Sequence, residues 1–465
     1  MNMINVRRLT VMTFLGAGML SDISAQVSPL QVDTLKETKI PDQWDLQSCI
    51  DYAKEQNITI RKNRITAAST QIDVKTAKAA LFPSLSFSTG HQVVNRPYQE
   101  TSSRVSGSEI ISSNSKTSYN GNYGLNASWT LYNGNKRLKT IQQEKLNNQM
   151  AELDVATSEN NIQESIAQVY IQILYAAESV KVNENTLQVS IAQRDRGQEL
   201  LNAGSIAKSD LAQLEAQVST DRYQLVTAQA TLEDYKLQLK QLLELDGENE
   251  MNIYLPALSD ENVLAPLPTK RDVYISALSL RPEIEASKLN VEASELGINI
   301  AKSSYFPTIS LSAGIGTNHT SGSDFTFGEQ VKNGWNNSIG LSVSVPIFNN
   351  RQTKSAVQKA KLQYETSMLS LLDEQKALYK TIESLWLDAN SAQQRYAAAN
   401  EKLKSTQISY ELISEQFNLG MKNTVELLTE KNNLLQAQQE QLQAKYMAIL
   451  NTQLLKFYQG DQLAL

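Results

Sequence analysis

An internal repeat of about half the chain constrains this sequence more than any other feature. Three landmarks recur in the same order, at offsets of 216 to 224 residues: AKAALFPSLSFSTG (77–90) returns as AKSSYFPTISLSAG (301–314), GLNASWTLYNGN (from Gly124) as GLSVSVPIFNNR (from Gly340), and NAGSIAKSDL (from Asn202) as NLGMKNTVEL (from Asn418). Repetition at a nearly fixed period indicates tandem duplication of one structural unit. The fold therefore has to accommodate two copies of the same arrangement.

Each copy contains two segments in which apolar residues alternate with Ser, Asn, Gly or Thr. They predict strand pairs at 84–94 and 119–131 in the first copy and at 308–316 and 338–347 in the second. One apolar face and one small polar face is the pattern of a membrane β-barrel, with lipid outside and water inside. Four strands do not close a barrel, and lipid does not tolerate an open edge, so other copies of the chain must complete it. A soluble β-sandwich is the alternative.

The rest of each copy predicts long helices. The segments 136–202 and 351–418 contain no proline, and each would extend for about 100 Å at a rise of about 1.5 Å per residue. Return helices are predicted at 206–244 and 423–457. The first of these has a coiled-coil seam in which only Asp221 is polar. The seam positions are Leu211, Leu214, Val218, Asp221, Leu225, Ala228, Leu232, Tyr235, Leu239 and Leu242.

Helix lengths predict how these segments combine. The helix that ends near Leu81 and the return helix together match the long helix beside them, and the second copy repeats this match. Each half is therefore expected to hold two strands at one end of one long helix and two stacked shorter helices. The predicted organisation is a signal peptide (1–25), an N-terminal belt segment (26–56), a first repeat (57–244), an equatorial linker (245–272), a second repeat (273–458) and a C-terminal tail (459–465).

Two of these segments have alternative interpretations. Residues 1–25 place Arg7 and Arg8 before an apolar run that is too short to span a bilayer, which is typical of a removed secretory signal. A buried first helix is the alternative. The linker, together with residues before Asp45, is expected to form a small belt around the helices, and an ordinary connection is the alternative.

Residues for covalent chemistry are scarce. The chain has one cysteine, Cys49, and two histidines, His91 and His319, which lie in or beside predicted strands. No cluster has metal-ligand spacing, and no nucleophile stands at motif distance from a base. A net charge of −6 gives no support to nucleic-acid binding. We predict neither an enzyme nor a cofactor.

The informative polar residues lie where each long helix turns back. Acidic residues stand nine and five positions before the turn glycine in both copies: Asp195 and Glu199 before Gly204, and Glu411 and Glu415 before Gly420. A spacing of four puts each pair on one helix face. The pairs are either a solvated face or a charged ring at the mouth of a tube, which would favour cations and bind blocking divalent ions.

The turns, 203–210 and 419–426, are either simple loops or a docking surface for a partner. Ser209 or Asp210 and Thr424 or Glu426 are candidates to cap the return helices. The candidate tip residues are Gly204, Ser205, Ser209, Asp210, Gly420, Met421, Thr424 and Glu426.

The strand motifs FPSLSFSTG and FPTISLSAG and the tips LNAGSIAKSDLAQLEAQ and FNLGMKNTVELLTEKNNLLQAQ resemble the TolC-type outer membrane efflux family over essentially the whole mature chain. This resemblance implies a homotrimer with a 12-stranded barrel in the outer membrane of a Gram-negative bacterium, continued by an α-helical barrel across the periplasm. It implies work with a periplasmic adaptor and an inner-membrane transporter, as the exit duct of a tripartite efflux pump or a type I secretion system.

The resemblance also implies opening by untwisting of the inner helical hairpins at the periplasmic tip, with Glu411 near the constriction. The chain departs from several relatives in one respect. They have arginine four residues before the turn glycine, where this chain has Leu200 and Gln416. The rival functional interpretation is a non-conducting trimeric coiled-coil scaffold or surface protein.

Overall fold

The computed structural model describes residues 41–98, 102–106, 109–113, 116–246, 251–256, 263–321, 323 and 325–463. The chain divides into two units, Met1–Asp42 and Gln43–Leu465, and every element below belongs to the second. The predicted signal peptide and residues 26–40 of the predicted belt segment lie outside the described residues.

The second unit is built from long helices and one small sheet. In chain order its described helices are α1 (Leu46–Gln56), α2 (Ile58–Ala79), α3 (Lys136–Asn202), α4 (Lys208–Leu242), α5 (Lys270–Leu280), α6 (Pro282–Ser303), α7 (Phe327–Asn333), α8 (Gln352–Asn418) and α9 (Thr424–Gln459). The strands are β1 (Ser84–Asn95), β2 (Ser102–Ser106), β3 (Glu109–Ser113), β4 (Thr117–Asn133), β5 (Thr308–Thr320) and β6 (Asn336–Ser344). Among the described residues, no helix is apolar over a stretch long enough to span a bilayer.

The shorter helices stack end to end beside the long ones. Helices α2 and α4 both pack along α3, and α6 and α9 both pack along α8. At the first junction, the Asn57 side chain caps α2 and also donates a hydrogen bond of 3.1 Å to the carbonyl of Leu242, at the end of α4. At the second, the buried Arg281 guanidinium at the start of α6 lies 3.9 Å from the ring centre of Tyr458, near the end of α9. Side chains at the junctions therefore hold each pair of helices in line.

The main sheet has the strand order β1-β4-β5-β6, all antiparallel. Its register places apolar residues opposite apolar residues, and small polar residues or glycine opposite one another, across all four strands. One row is Leu85, Ala127, Ala313 and Ile339, and the next row on the opposite face is Ser86, Asn126, Gly314 and Ser338. Successive side chains in a strand point to opposite faces. The sheet therefore has one apolar face and one face of small polar residues.

A compact core lies around the middle of the helices. Trp44 and Tyr170 are almost fully buried there. The backbone of Trp44 exchanges two hydrogen bonds of 2.8 Å with Asn252 and Tyr254, and the Tyr170 hydroxyl donates to the Tyr254 carbonyl at 2.6 Å. Chain segments before the first repeat and between the two repeats are thus bound to α3.

The structure contains elements that the sequence did not predict and changes several predicted boundaries. The segment between β1 and β4 contains a further hairpin, β2–β3, and the segment between β5 and β6 contains α7, which begins with a capping box formed by Thr326 and Glu329. Strand β6 ends at Ser344 instead of 347, because Pro346 cannot donate to a sheet ladder. Helix α5 begins at Lys270, inside the predicted linker, because the Thr269 side chain caps it.

Candidate functional site

The two helix tips share one backbone motif. In the first, Gly204 has φ of +73° and donates to the Leu201 carbonyl at 2.9 Å, while Ser205 donates to Leu200 at 2.8 Å. In the second, Gly420 has φ of +75°, and it and Met421 repeat both bonds at 2.9 and 2.8 Å. This is the Schellman motif, which needs a left-handed residue where glycine is favoured. The repeated glycine thus ends each long helix at the equivalent position of its repeat.

The return helices begin with carboxylates that reach back toward the turn. Asp210 accepts a hydrogen bond of 3.0 Å from the Ala207 amide, and Glu426 accepts one of 3.3 Å from the Asn423 amide. Asn423 is the N-cap of α9, and its side chain accepts from the Glu426 amide at 2.9 Å. Asp210 and Glu426, two of the four candidate caps, thus bond back to the helix start from the N3 position, whereas the N-caps themselves are Ala207 and Asn423.

The other two candidate caps, Ser209 and Thr424, are wrong. Ser209 is the second residue of α4, which begins at Lys208, and Thr424 is the first residue of α9. The side chain that bonds back to the helix start belongs to the third residue of each helix. Thr424 is buried, and its hydroxyl has no partner among the described residues.

Lys422 forms an ion pair of 2.6 Å with Glu426 and donates a hydrogen bond to it. The hydrogen bond from Lys422, followed by the one from the Asn423 amide, lowers the pKa of the Glu426 carboxyl.

The four predicted acidic residues are all exposed, but the two pairs differ in charge environment. Asp195 forms an ion pair of 2.6 Å with Arg194, and Glu199 forms one of 2.8 Å with Arg196. Glu411 accepts a hydrogen bond of 3.1 Å from the neutral amide of Gln407. Within the described residues, no ion pair involves Glu411 or Glu415. The first-repeat pair thus has arginine partners, whereas the second-repeat pair has no cationic partner among the described residues.

A buried ion pair near the tips was not predicted from the sequence. Lys431 of α9 contacts both Asp221 of α4 and Ser190 of α3, and the three residues are at most 3% exposed. Gln217 donates a further hydrogen bond of 2.9 Å to Asp221. Burial lowers the pKa of the Lys431 ammonium, and Asp221 opposes that shift. The signal was present, because Asp221 is the one polar residue of the coiled-coil seam.

Contacts between the repeats continue toward the tips. Gln193 of α3 donates a hydrogen bond of 2.7 Å to the Tyr410 hydroxyl of α8. Between the two helices of the second hairpin, α8 and α9, Ser409 donates a hydrogen bond of 3.1 Å to Glu430.

Close packing of α3 against α4 depends on a glycine. Gly197 is buried, and a Cβ added there would lie 2.4 Å from a methyl group of Leu214. The glycine therefore lets α3 and α4 pack closely just above the first tip.

Two repeats of paired long helices, each contributing two strands to one four-stranded sheet, define the class of this protein. The family model for outer membrane efflux proteins matches residues 49–244 and 273–460, one segment for each repeat. The chain belongs to this family. Membership confirms the resemblance that the motifs indicated. It also confirms the predicted location: the protein lies in the outer membrane of a Gram-negative cell and extends into the periplasm. The family is one of channel proteins.

Individual relatives are distant. The chain is 24% identical over 294 residues to the outer membrane efflux protein BepC of Brucella suis, covering 63% of this chain and 61% of BepC. It is also 24% identical over 294 residues to the outer membrane protein TolC of Escherichia coli, covering 61% of this chain and 58% of TolC. The matches thus span about three fifths of these relatives' length. The structure of VceC from Vibrio cholerae has the same fold, with a TM-score of 0.73 at 16% identity, and covers 90% of this chain and 97% of VceC.

Proposed function

We propose that three copies of this chain form a passive exit duct through the outer membrane, as part of a tripartite efflux pump or a type I secretion system. The sheet is the observation that carries the proposal. Its edge strands, β1 and β6, are each paired on one side only within the sheet, and one face is apolar. Open edges are not tolerated in lipid. Three sheets joined edge to edge would close a 12-stranded barrel with a polar lumen.

Exposed apolar residues on the helices support assembly with further copies. Helix α2 has a row at a spacing of seven, Ile58, Ile65 and Ile72, which are 47%, 62% and 40% exposed. Helix α8 has Leu362 and Leu369 at the same spacing, 62% and 66% exposed. A seven-residue apolar repeat is typical of a helix–helix seam. In the single chain these rows face solvent, and neighbouring copies would cover them.

The tips are proposed as the surface for a periplasmic adaptor, which in turn meets an inner-membrane transporter. Leu419 and Met421 are 69% and 66% exposed at the second tip. Gly204 and Gly420 have no atom within 4 Å of an added Cβ, so both turns project freely. An apolar pair at the end of a helical tube is a suitable contact for a partner protein.

Conduction tests the proposal directly. The purified chain, reconstituted into planar bilayers, is expected to give stepwise currents of a single channel size, because a closed barrel with a polar interior conducts ions. Protein with the same lipids after heat denaturation is the control. A chain that inserts as a trimer yet never conducts, even after the four tip acids are neutralised, would instead be a scaffold.

A separate prediction concerns the proposed gate. Replacing Glu411 and Glu415 with glutamine is expected to reduce cation selectivity and block by divalent ions, because these carboxylates have no cationic partner in the described part of the chain. Replacing Asp195 with asparagine and Glu199 with glutamine is expected to reduce block by divalent ions less, since Arg194 and Arg196 already occupy those carboxylates. Block by added divalent ions compares the two variants, and reversal potentials in a salt gradient measure cation selectivity. Unchanged potentials in the Glu411 and Glu415 variant would identify the acids as a solvated face.

A further inference from the structure

The connection between β5 and β6 folds back onto the apolar face of the sheet. Thr317 and His319 lie on that face near the end of β5, because they follow Ala313 by an even number of residues. The Thr317 hydroxyl donates a hydrogen bond of 2.7 Å to the Val331 carbonyl, and the ring centres of His319 and Phe327 are 5.0 Å apart. Helix α7 therefore contacts the apolar face, at the end of the sheet that lies away from the long helices.

Side-chain hydrogen bonds fix α7 in this place. The capping box of Thr326 and Glu329 closes its start. Gln330 accepts a hydrogen bond of 2.9 Å from the amide of Thr320, the last residue of β5, and donates one of 2.9 Å to the Phe325 carbonyl. The helix is thus joined both to the strand and to the segment before its own start, and the residues that it exposes have defined positions.

The residues that this connection exposes include three aromatic side chains. Phe325, Phe327 and Trp335 are 49%, 39% and 57% exposed. Trp335 directly precedes β6, and its indole N–H donates a hydrogen bond of 3.2 Å to Asn337, which shares the apolar face with Ile339. Both ends of the connection therefore place aromatic rings beside the apolar face, as its continuation.

The equivalent connection of the first repeat is different. Between β1 and β4, residues 96–116 contain a single aromatic residue, Tyr98, and the hairpin β2–β3 stands where the second repeat has α7. In the second repeat a cation accompanies the rings, because Lys332 of α7 is exposed, and within the described part of the chain it forms no ion pair. Exposed rings together with a cation on one short helix are typical of a segment that lies at a membrane surface.

We infer that α7 is an interfacial anchor, whose Phe and Trp rings lie among the headgroups and upper acyl chains of the outer leaflet. The inference rests on the proposed duct, in which the apolar face contacts lipid, and it names a lipid contact beyond the sheet. Aromatic rings with one polar edge settle at this level of a bilayer, where the Lys332 ammonium also meets headgroup phosphates. Three copies would place three anchors around the outer rim, and these connections would stay outside the lumen.

Tryptophan fluorescence tests which medium covers α7. The parent chain and Trp335→Phe are reconstituted into phosphatidylcholine vesicles brominated either near the headgroup or near the chain end, and the difference between the two emissions belongs to Trp335. Bromine near the headgroup is expected to quench this difference roughly twofold more than bromine near the chain end, because indole rings settle at the interface. Trp386→Phe is the control, since Trp386 bonds to the Pro268 carbonyl in the helical region and bromine should leave its emission unchanged.

The outcomes separate the anchor from the proposed duct. Quenching of Trp335 by acrylamide in water but not by bromine would overturn the inference, because the helix then projects into water. Quenching by neither would also overturn it, because another copy then covers the helix. Trp129, opposite Leu311 on the apolar face, reports on the sheet itself through Trp129→Phe. If bromine quenches Trp129 but not Trp335, the duct stands without the anchor, and if it quenches neither, both fail.

Cysteine labelling in intact cells provides a second readout. The native Cys49 is buried, so the background reaction is low. With a membrane-impermeant maleimide, Trp335→Cys is expected to react about tenfold more slowly than Tyr98→Cys, because lipid covers the first position and Tyr98 is almost fully exposed in the equivalent connection. In denaturant the two variants should react alike. Equal rates in intact cells would overturn the anchor and leave the duct standing.

Discussion

Replacing Lys431 with methionine is expected to destabilise the helical region by about 3–5 kcal/mol, the usual cost of leaving one buried charge without its partner. Asp221 would remain almost fully buried, and Ser190 and Gln217 would be the hydrogen-bond donors left to it among the described residues. The readout is the temperature at which the helical circular dichroism signal is lost, compared with the parent chain in the same detergent.

Two variants sharpen this prediction. Adding Asp221→Leu to Lys431→Met is expected to recover most of the loss, because two apolar groups of similar volume can replace a buried ion pair at little net cost. Lys402→Met is the matched control, since its ion pair with Glu440, 2.7 Å long, is about 42% exposed on both sides. Exposed pairs contribute only about 0–1 kcal/mol. Equal melting temperatures for Lys431→Met and Lys402→Met would show that the buried pair has no special role.

Replacing Leu341 with arginine is expected to prevent insertion of the protein into the outer membrane. Leu341 lies on β6 opposite Leu311, on the apolar face of the sheet, and is 64% exposed in the single chain. An arginine facing lipid at the bilayer midplane costs about 2–4 kcal/mol per strand, and three copies would bear it together. Fractionation of membranes from cells that express each variant measures the amount of protein in the outer membrane.

The neighbouring residue gives the control for this experiment. Ser342 pairs with Ser310 on the small polar face, which would line the water-filled lumen. Ser342→Arg is expected to reach the outer membrane at near parental levels and to conduct with lower cation preference. If Leu341→Arg inserts as well as Ser342→Arg, the apolar face does not contact lipid.

Regular patterns account for the part of this fold that the sequence predicts well. Helix α3 spans Lys136–Asn202 as its proline-free segment indicates, and glycine at 204 ends it because only a left-handed residue completes the turn. Alternation in β4 and β5 assigns the sheet faces because strand side chains repeat every two residues. These features depend on local chemistry, which one sequence contains in full.

Features that depend on distant contacts were less accessible. The pairing of Lys431 with Asp221 joins residues 210 positions apart, and only the polar interruption of the seam hinted at it. The arginines beside Asp195 and Glu199 were visible in the sequence, but spacing alone did not show that they neutralise the acidic pair. The capping positions of α4 and α9 changed because these helices begin two residues and one residue later than predicted, and such a shift moves every N-terminal role.

The sheet order has a consequence for the course of folding. Strands β4 and β5 pair residues as far apart in the chain as Asn120 and Thr320, whereas the tip turn joins α3 to α4 across a few residues only. Loop closure over such a distance is slow and costs more entropy than a local hairpin. The helical hairpins can therefore form while the chain is still being exported. Completion of the sheet has to wait until the second repeat has emerged.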